Sequence, residues 1–277
     1  MLAALVIVFR EVLEAGLIVG VVLAASRGVA GRGRAVGLGI AAGIAGSVLV
    51  AAFASQISNA FDGRGQELFA AAVLALAVAM LAWHVVWMSE HARELTQRMR
   101  ALGAAVGSGA RSVAAIGLAT FSAVMREGSE VVLFLTGIAM QPAETAAGIV
   151  AGSLAGLALG ASVSAALYLG LSAIPLRRLF SVTGILVTLL AAGLAAEAVH
   201  QISNAGLVPG WLDVTLWDSS WLVSESGPIG RLLAILVGYR DHPTLAQLAA
   251  YVGTAVTIFT LSRSVHRRPA ALAVGRG

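Results

Sequence analysis

The residues that could do chemistry stand out because their neighbours do not suit them. Arg10-Glu11-x-x-Glu14 and Arg126-Glu127-x-x-Glu130 repeat one pattern, R-E-x-x-E, and each copy lies in the middle of a long apolar run. On a helix advancing about 100° per residue, Glu11 stands about 100° and Glu14 about 40° from Arg10, so all three side chains project into one sector. Carboxylates at i and i+3 can share a bound cation, and the arginine is placed to pair with the second glutamate at i+4. A third apolar run carries Glu197 with His200 three residues on, which could extend such a site or relay protons, and His84 lies in a fourth. For both histidines a hydrogen-bonded structural role near a span end competes with metal ligation.

Four such carboxylates offer oxygen donors, which suit hard cations, and the chain has no cysteine to build a soft thiolate site. With two arginines set against four glutamates the cluster keeps a net negative charge, so a multivalent cation is the natural counter-ion. The charge sum alone does not choose between divalent and trivalent, because buried carboxylates can hold protons. An intramembrane enzyme using the acids as acid and base, a proton-coupled carrier for another substrate and a helix-packing device are the competing readings. Against the enzyme, no serine-histidine pair, H-E-x-x-H motif or aspartate dyad accompanies the acids. A packing device does not require four of them.

The elements that must hold these residues follow from composition. The 277 residues are 58% hydrophobic and 12% charged, about half the charge of a soluble domain, which excludes both a soluble enzyme and a disordered chain. Runs long enough to span a bilayer as helices fall near 2–26, 35–57, 68–89, 112–140, 145–172, 179–204 and 244–262. A charge at the centre of such a helix costs roughly 3 kcal/mol, so the seven ionisable residues inside the runs must face protein.

All eighteen basic residues are arginine, and their placement is a topology signal, not a nucleic-acid patch. Thirteen lie in alternate connections and beyond the last span, against three, Arg64, Arg231 and Arg240, in the opposite connections. This puts the amino terminus outside and the carboxyl terminus in the cytoplasm. Arg10 and Glu11 interrupt the first run and no basic residue precedes it, which argues against a cleaved leader.

The two motifs are 116 residues apart, and the same offset takes His84 to His200. The expected architecture is therefore an all-α integral membrane protein of seven transmembrane helices, two inverted three-helix repeats plus one C-terminal helix, with substrate held at their interface near the midplane. Repeat one covers about 1–89 and repeat two about 112–204. Between them, 90–111 reads as a cytoplasmic surface helix with a loose link; an outer loop at about 206–243 precedes the seventh helix at about 244–262. Glycines at four-residue spacing (Gly16 and Gly20; Gly39 and Gly43; Gly152, Gly156 and Gly160) read as helix-packing contacts. The outer loop carries Asp213, Asp218, Glu225, Asp241 and His242. An acidic mouth would concentrate cations, and a solvated loop is the competing reading for each of them except Asp218, which the motif Leu216-Trp217-Asp218-Ser219-Ser220 singles out.

The paired motifs, Gln66-Glu67-Leu68-Phe69 opening the third span, Trp87-Met88 closing it, and Leu216-Trp217-Asp218-Ser219-Ser220, Gly238-Tyr239 and Pro243-Thr244 in the last outer segment resemble the bacterial EfeU-type iron permeases. These belong to the oxidase-dependent iron transporters and are related to the fungal high-affinity iron permease. The likeness runs over nearly the whole chain. One departure is Phe69-Ala70-Ala71, where many relatives carry an acidic residue. The resemblance implies ferric iron passage across the bacterial cytoplasmic membrane, with Glu11, Glu14, Glu127 and Glu130 as ligands and Arg10 and Arg126 tuning them. Glu197 and His200 would support the site, and Asp218 would mark its outer access. It also implies a periplasmic iron-oxidising or iron-delivering partner of the EfeO and EfeB type, and no resident cofactor, iron being the cargo. Assembly into a homo-oligomer is left open.

Overall fold

A computed structural model of the chain describes residues 1–60, 66–141, 144–170 and 176–266. Arg64, Arg267, Arg268 and Arg276 of the topology argument lie outside the described residues. The described chain is helical: α1 (Leu2–Ala25), α2 (Arg32–Ala60), α3 (Gln66–Gly107), α4 (Ala114–Ala139), α5 (Ala146–Tyr168), α6 (Leu176–Asn204), α7 (Pro228–Val237) and α8 (Leu245–His266). Among the described residues, the only extended pairing is an isolated antiparallel bridge between Thr215 and Thr244.

Each of the seven expected runs forms a helix, and five helices contain stretches long and apolar enough to cross a membrane: Arg32–Phe53, Glu67–Trp87, Ala146–Tyr168, Phe180–Asn204 and Leu245–Ser264. The other two long helices, α1 and α4, carry the three charges of one R-E-x-x-E motif each. Arg10, Glu11, Glu14 and Glu127 are buried inside the bundle and Arg126 and Glu130 partly so, which is what makes charges at membrane depth tolerable.

The centre of the bundle is built by α1, α3, α4 and α6, with α8 against α6 and α3. Ile7, Leu74, Leu81, Phe134, Ile138, Val187, Leu194 and Ile258 form its dry core. Outside this group, α5 lies along α1 and α2 lies along α4, the two most extensive helix pairings in the molecule. Small residues allow the approach. A side chain at Gly156 would run into the Leu5 carbonyl oxygen and the Phe9 nitrogen, and one at Gly39 into the Gly117 carbonyl and Thr120. The faces of α2, α5 and α8 turned away from the bundle are lined by Leu38, Leu49, Phe53, Leu154, Val256 and Phe259, an exposure that acyl chains, not water, would satisfy.

Two parts of the sequence reading are refined. The helix expected at the start of segment 90–111 is continuous with the third span, because α3 runs without interruption to Gly107, about 63 Å of helix at 1.5 Å per residue, before a short non-helical link to α4. Its last turns are anchored: Val106 is buried with Val22, Val36 and Ile116, Leu102 packs on them, and a side chain at Gly103 would strike Ala25. The outer loop, in turn, contains α7. Pro228 sits in its first turn, where the missing N–H costs nothing, and Gly238 ends it in the left-handed region at φ 68°.

Candidate metal centre

The site is assembled where α1, α3 and α4 meet. The local prediction within each motif holds: Arg10 Nε donates to Glu14 Oε1 at 3.0 Å, and Arg126 Nε lies 3.3 Å from both Glu127 Oε1 and Glu130 Oε1. Helical spacing dictates the two i,i+4 pairs, Arg10 with Glu14 and Arg126 with Glu130. What the motifs do not specify is the group between them. His84 enters from α3, with Nε2 3.6 Å from Glu11 Oε2 and 3.3 Å from Glu14 Oε2, while Nδ1 is paired with Glu130 Oε2. Phe134 presents its ring edge-on to the imidazole at a centroid distance of 6.4 Å, closing the apolar side.

Glu11, His84, Glu127 and Glu130 each offer a ligand atom, and these atoms all lie within 4.8 Å of one another. Opposite ligands on a small transition-metal cation, with bonds of about 2.0–2.2 Å, stand about 4.0–4.4 Å apart. The four groups therefore need to close by only a few tenths of an ångström to grip an ion. Both oxygens of Glu11 and both of Glu127 are buried and receive no hydrogen bond. Buried carboxylate oxygens are normally satisfied, so these four oxygens are available to coordinate a cation. Glu14 stands a step back, its oxygens directed to Arg10 and His84.

The profile described as "Iron permease FTR1 family" matches residues 1–264. The chain belongs to that family. It is similar to proteins named "Ferrous iron permease EfeU": in Yersinia pestis, 30% identical over 255 residues, covering 91% of this chain and 89% of the relative. In Escherichia coli O6:K15:H31 the identity is also 30% over 255 residues, with 91% of each chain covered. In Yersinia pseudotuberculosis it is 30% over 249 residues, covering 88% and 86%. No solved structure matches. The molecule is a multi-pass membrane transporter, not an enzyme.

In this permease the remaining sequence-selected residues lie away from the cluster. Glu197 is 2% exposed on α6, and its oxygens accept from Gln201 Nε2 at 2.8 Å and from Arg240, which reaches in from beyond α7. His200 Nδ1 lies 3.1 Å from Gln247 Nε2 of α8, a structural partner. Asp218 is exposed and organises the outer segment: Oδ1 accepts from the Ser220 backbone N–H at 2.9 Å and from the Ser220 hydroxyl at 2.6 Å, and lies 3.1 Å from His242 Nε2. The two Ser220 bonds, then His242, hold the Asp218 carboxyl below its ordinary value. His242 is pushed up by its bond to Asp241 and by the charge of Asp218. His84, then, is the residue the motif reading undervalued. Its signal in sequence was the single offset match to His200, which says nothing about which neighbour it meets.

Proposed function

We propose that this permease carries iron across the bacterial cytoplasmic membrane through the cluster of Glu11, His84, Glu127 and Glu130, with Glu14 as a reserve ligand. The observation that carries the reading is the convergence of four ligand atoms from three helices, with no hydrogen bond to the oxygens of Glu11 or Glu127. Arg10 and Arg126 hold Glu14 and Glu130 in place and balance part of the negative charge while no cation is present. When an ion arrives, the carboxylates exchange a guanidinium or imidazole partner for the metal, so the site never exposes bare charge to the bilayer. The test is iron uptake into liposomes by variants shown to be folded: Glu11→Gln and Glu127→Gln abolish uptake under this reading, and normal uptake by both would overturn it.

The resemblance implies a ferric cargo, while the charge sum of four carboxylates and two arginines does not by itself choose the valence. The names of the relatives favour a ferrous one. Uptake measured in parallel from ferric citrate and from ferrous iron kept reduced by ascorbate separates the two. Under the ferric reading a partner of the EfeO and EfeB type oxidises or delivers the iron outside, and Asp218 with its neighbours gathers it at the mouth.

The architecture proposed for this transport is the inverted repeat. Its support is a set of repeated contacts. Met1 and Ala4 of α1 lie at Gly152, and Val8 and Phe9 at Gly156; 116 residues on, Gly117 and Thr120 of α4 lie at Gly39, and Val124 and Met125 at Gly43. The same positions of the two motif helices are thus read by glycines 113 residues apart. The arginine asymmetry supports an amino terminus outside and a carboxyl terminus in the cytoplasm.

A further inference from the structure

The two motifs are chemically alike but unequally enclosed. The side chains of Arg10 and Glu14 are 4% and 1% exposed, whereas those of Arg126 and Glu130 are 36% and 17% exposed. On the first side α7 packs against both α6 and α1, and Arg240 just beyond it is bonded to Glu197. The equivalent cleft of the second half, between α3 and α4, holds a cavity of about 460 Å³ lined by Ala79, Met80, Trp83, Trp87 and Arg126, and by two members of the cluster, His84 and Glu130. At its rim the Arg126 guanidinium carbon lies 4.5 Å from the centre of the Trp87 ring.

We propose that the α3–α4 cleft is the passage by which iron joins or leaves the cluster, with Arg126 as its gate and Trp87 as the residue that positions the gate. The proposal rests on the cluster being the transport site. A charged side chain at membrane depth faces protein or water, so a cleft in which Arg126 shows a third of its surface is a wet one. At about 30 Å³ per molecule it has room for several waters, enough to bring a partly hydrated cation up to Glu130. From there the ion can exchange water for ligands in sequence, Glu130 and His84 at the cavity wall, then Glu11 and Glu127 behind them. The guanidinium stands in that path with like charge. Its stack on Trp87 and its pairs with Glu127 and Glu130 help keep it at the rim, and a cation that takes those carboxylates loosens that hold.

The chain lacks cysteine, so a single one introduced in the cleft reports on it alone. In Ala79→Cys, a charged methanethiosulfonate reagent should modify the thiol, and ferric citrate or ascorbate-reduced ferrous iron should slow the reaction. Adding Glu11→Gln should remove that protection, since the ion is then no longer retained. Trp87→Leu should speed modification roughly fivefold, the change in population that loss of one partly desolvated stack permits, while Trp87→Phe, which keeps an aromatic face, should change it less than about twofold. An unreactive thiol, a reactive thiol that neither form of iron protects, or a disulfide between two copies in Trp83→Cys, which would make the cleft an interface, overturns the passage. The cluster itself is judged separately by the uptake of Glu11→Gln.

Discussion

Glu11 and Glu127 differ from the other acids of the site because no hydrogen bond reaches their oxygens, and this ranks the expected defects. Replacing either by glutamine removes a ligand oxygen that no hydrogen bond holds, so uptake should fall to background. Glu14 retains its bond from Arg10 as glutamine, and Glu14→Gln should keep measurable uptake. His84→Asn removes one of the four ligand atoms and should reduce uptake by at least about the tenfold to hundredfold that loss of a group merely orienting a ligand causes. Iron binding to the same detergent-purified variants should fall in the same order; a His84 variant with parent affinity would reduce the histidine to packing. Arg10→Lys keeps the charge but loses the fixed planar donor set, and should be partly active. Asp218→Asn should weaken uptake at low iron and matter little at high iron or high salt, where screening replaces its field.

Among the elements, the glycine contacts and the outer segment make opposite demands. At Gly156 an added Cβ would sit 2.6 Å from a backbone oxygen and 2.9 Å from a backbone nitrogen of α1, neither of which can move without shifting a helix. Gly156→Leu should destabilise the detergent-solubilised protein by about 1–3 kcal/mol, read as a lower unfolding midpoint. Gly37→Leu, on the same kind of helix but with open space around it, should not. The outer segment is held instead by polar bonds: Ser219 to the Tyr239 hydroxyl at 2.7 Å, the Glu225 backbone N–H to Asp241 Oδ2 at 3.0 Å, and His242 between Asp241 and Asp218. The carboxyl of Asp241 is held low, first by that Glu225 N–H, and His242 is held high. The raised histidine contributes fully below its unfolded value of about 6.5 and is lost as pH rises through the higher folded value; the lowered aspartates contribute above about 4 and are lost as pH falls through theirs. The clamp is therefore tightest between these limits. Amide exchange of segment 218–242, corrected for its intrinsic rate, should be slower at pH 5.5 than at pH 8, and His242→Gln should flatten the difference.

For the whole molecule the arginine distribution predicts a measurable arrangement. A tag after Arg276 should be shielded from external reagents in intact cells, and one near Pro209 should react; the reverse would remove both the orientation and the inverted repeat. The extension of α3 adds a mechanical link to this arrangement. A helix that supplies His84 to the cluster also ends against Val22, Val36 and Ile116, where α1, α2 and α4 turn, so it couples the metal centre to those helix ends. Breaking that anchor with Val106→Asp should lower uptake without removing any ligand.

The seven long helices and both charged triplets could be read from sequence because each rests on a local rule. A charge in an apolar run is visible in one dimension, and the i, i+3 and i+4 positions of a helix share a face wherever the helix goes. The pairing of Arg10 with Glu14 and of Arg126 with Glu130 is therefore already in the sequence. The placing of His84 between the triplets depends on how α3 crosses α1 and α4, and that angle is set by side-chain packing along entire helices. In a chain this rich in alanine and glycine, many crossings look alike in sequence, since small residues permit close approach without specifying a partner. The same holds for Arg240 on Glu197, separated by 43 residues, and for the tail of α3, whose charged first half hid the apolar contacts of Leu102 and Val106. Only the tertiary structure decides that three helices bring Glu11, His84, Glu127 and Glu130 together, because the distances that matter are between helices and not along them.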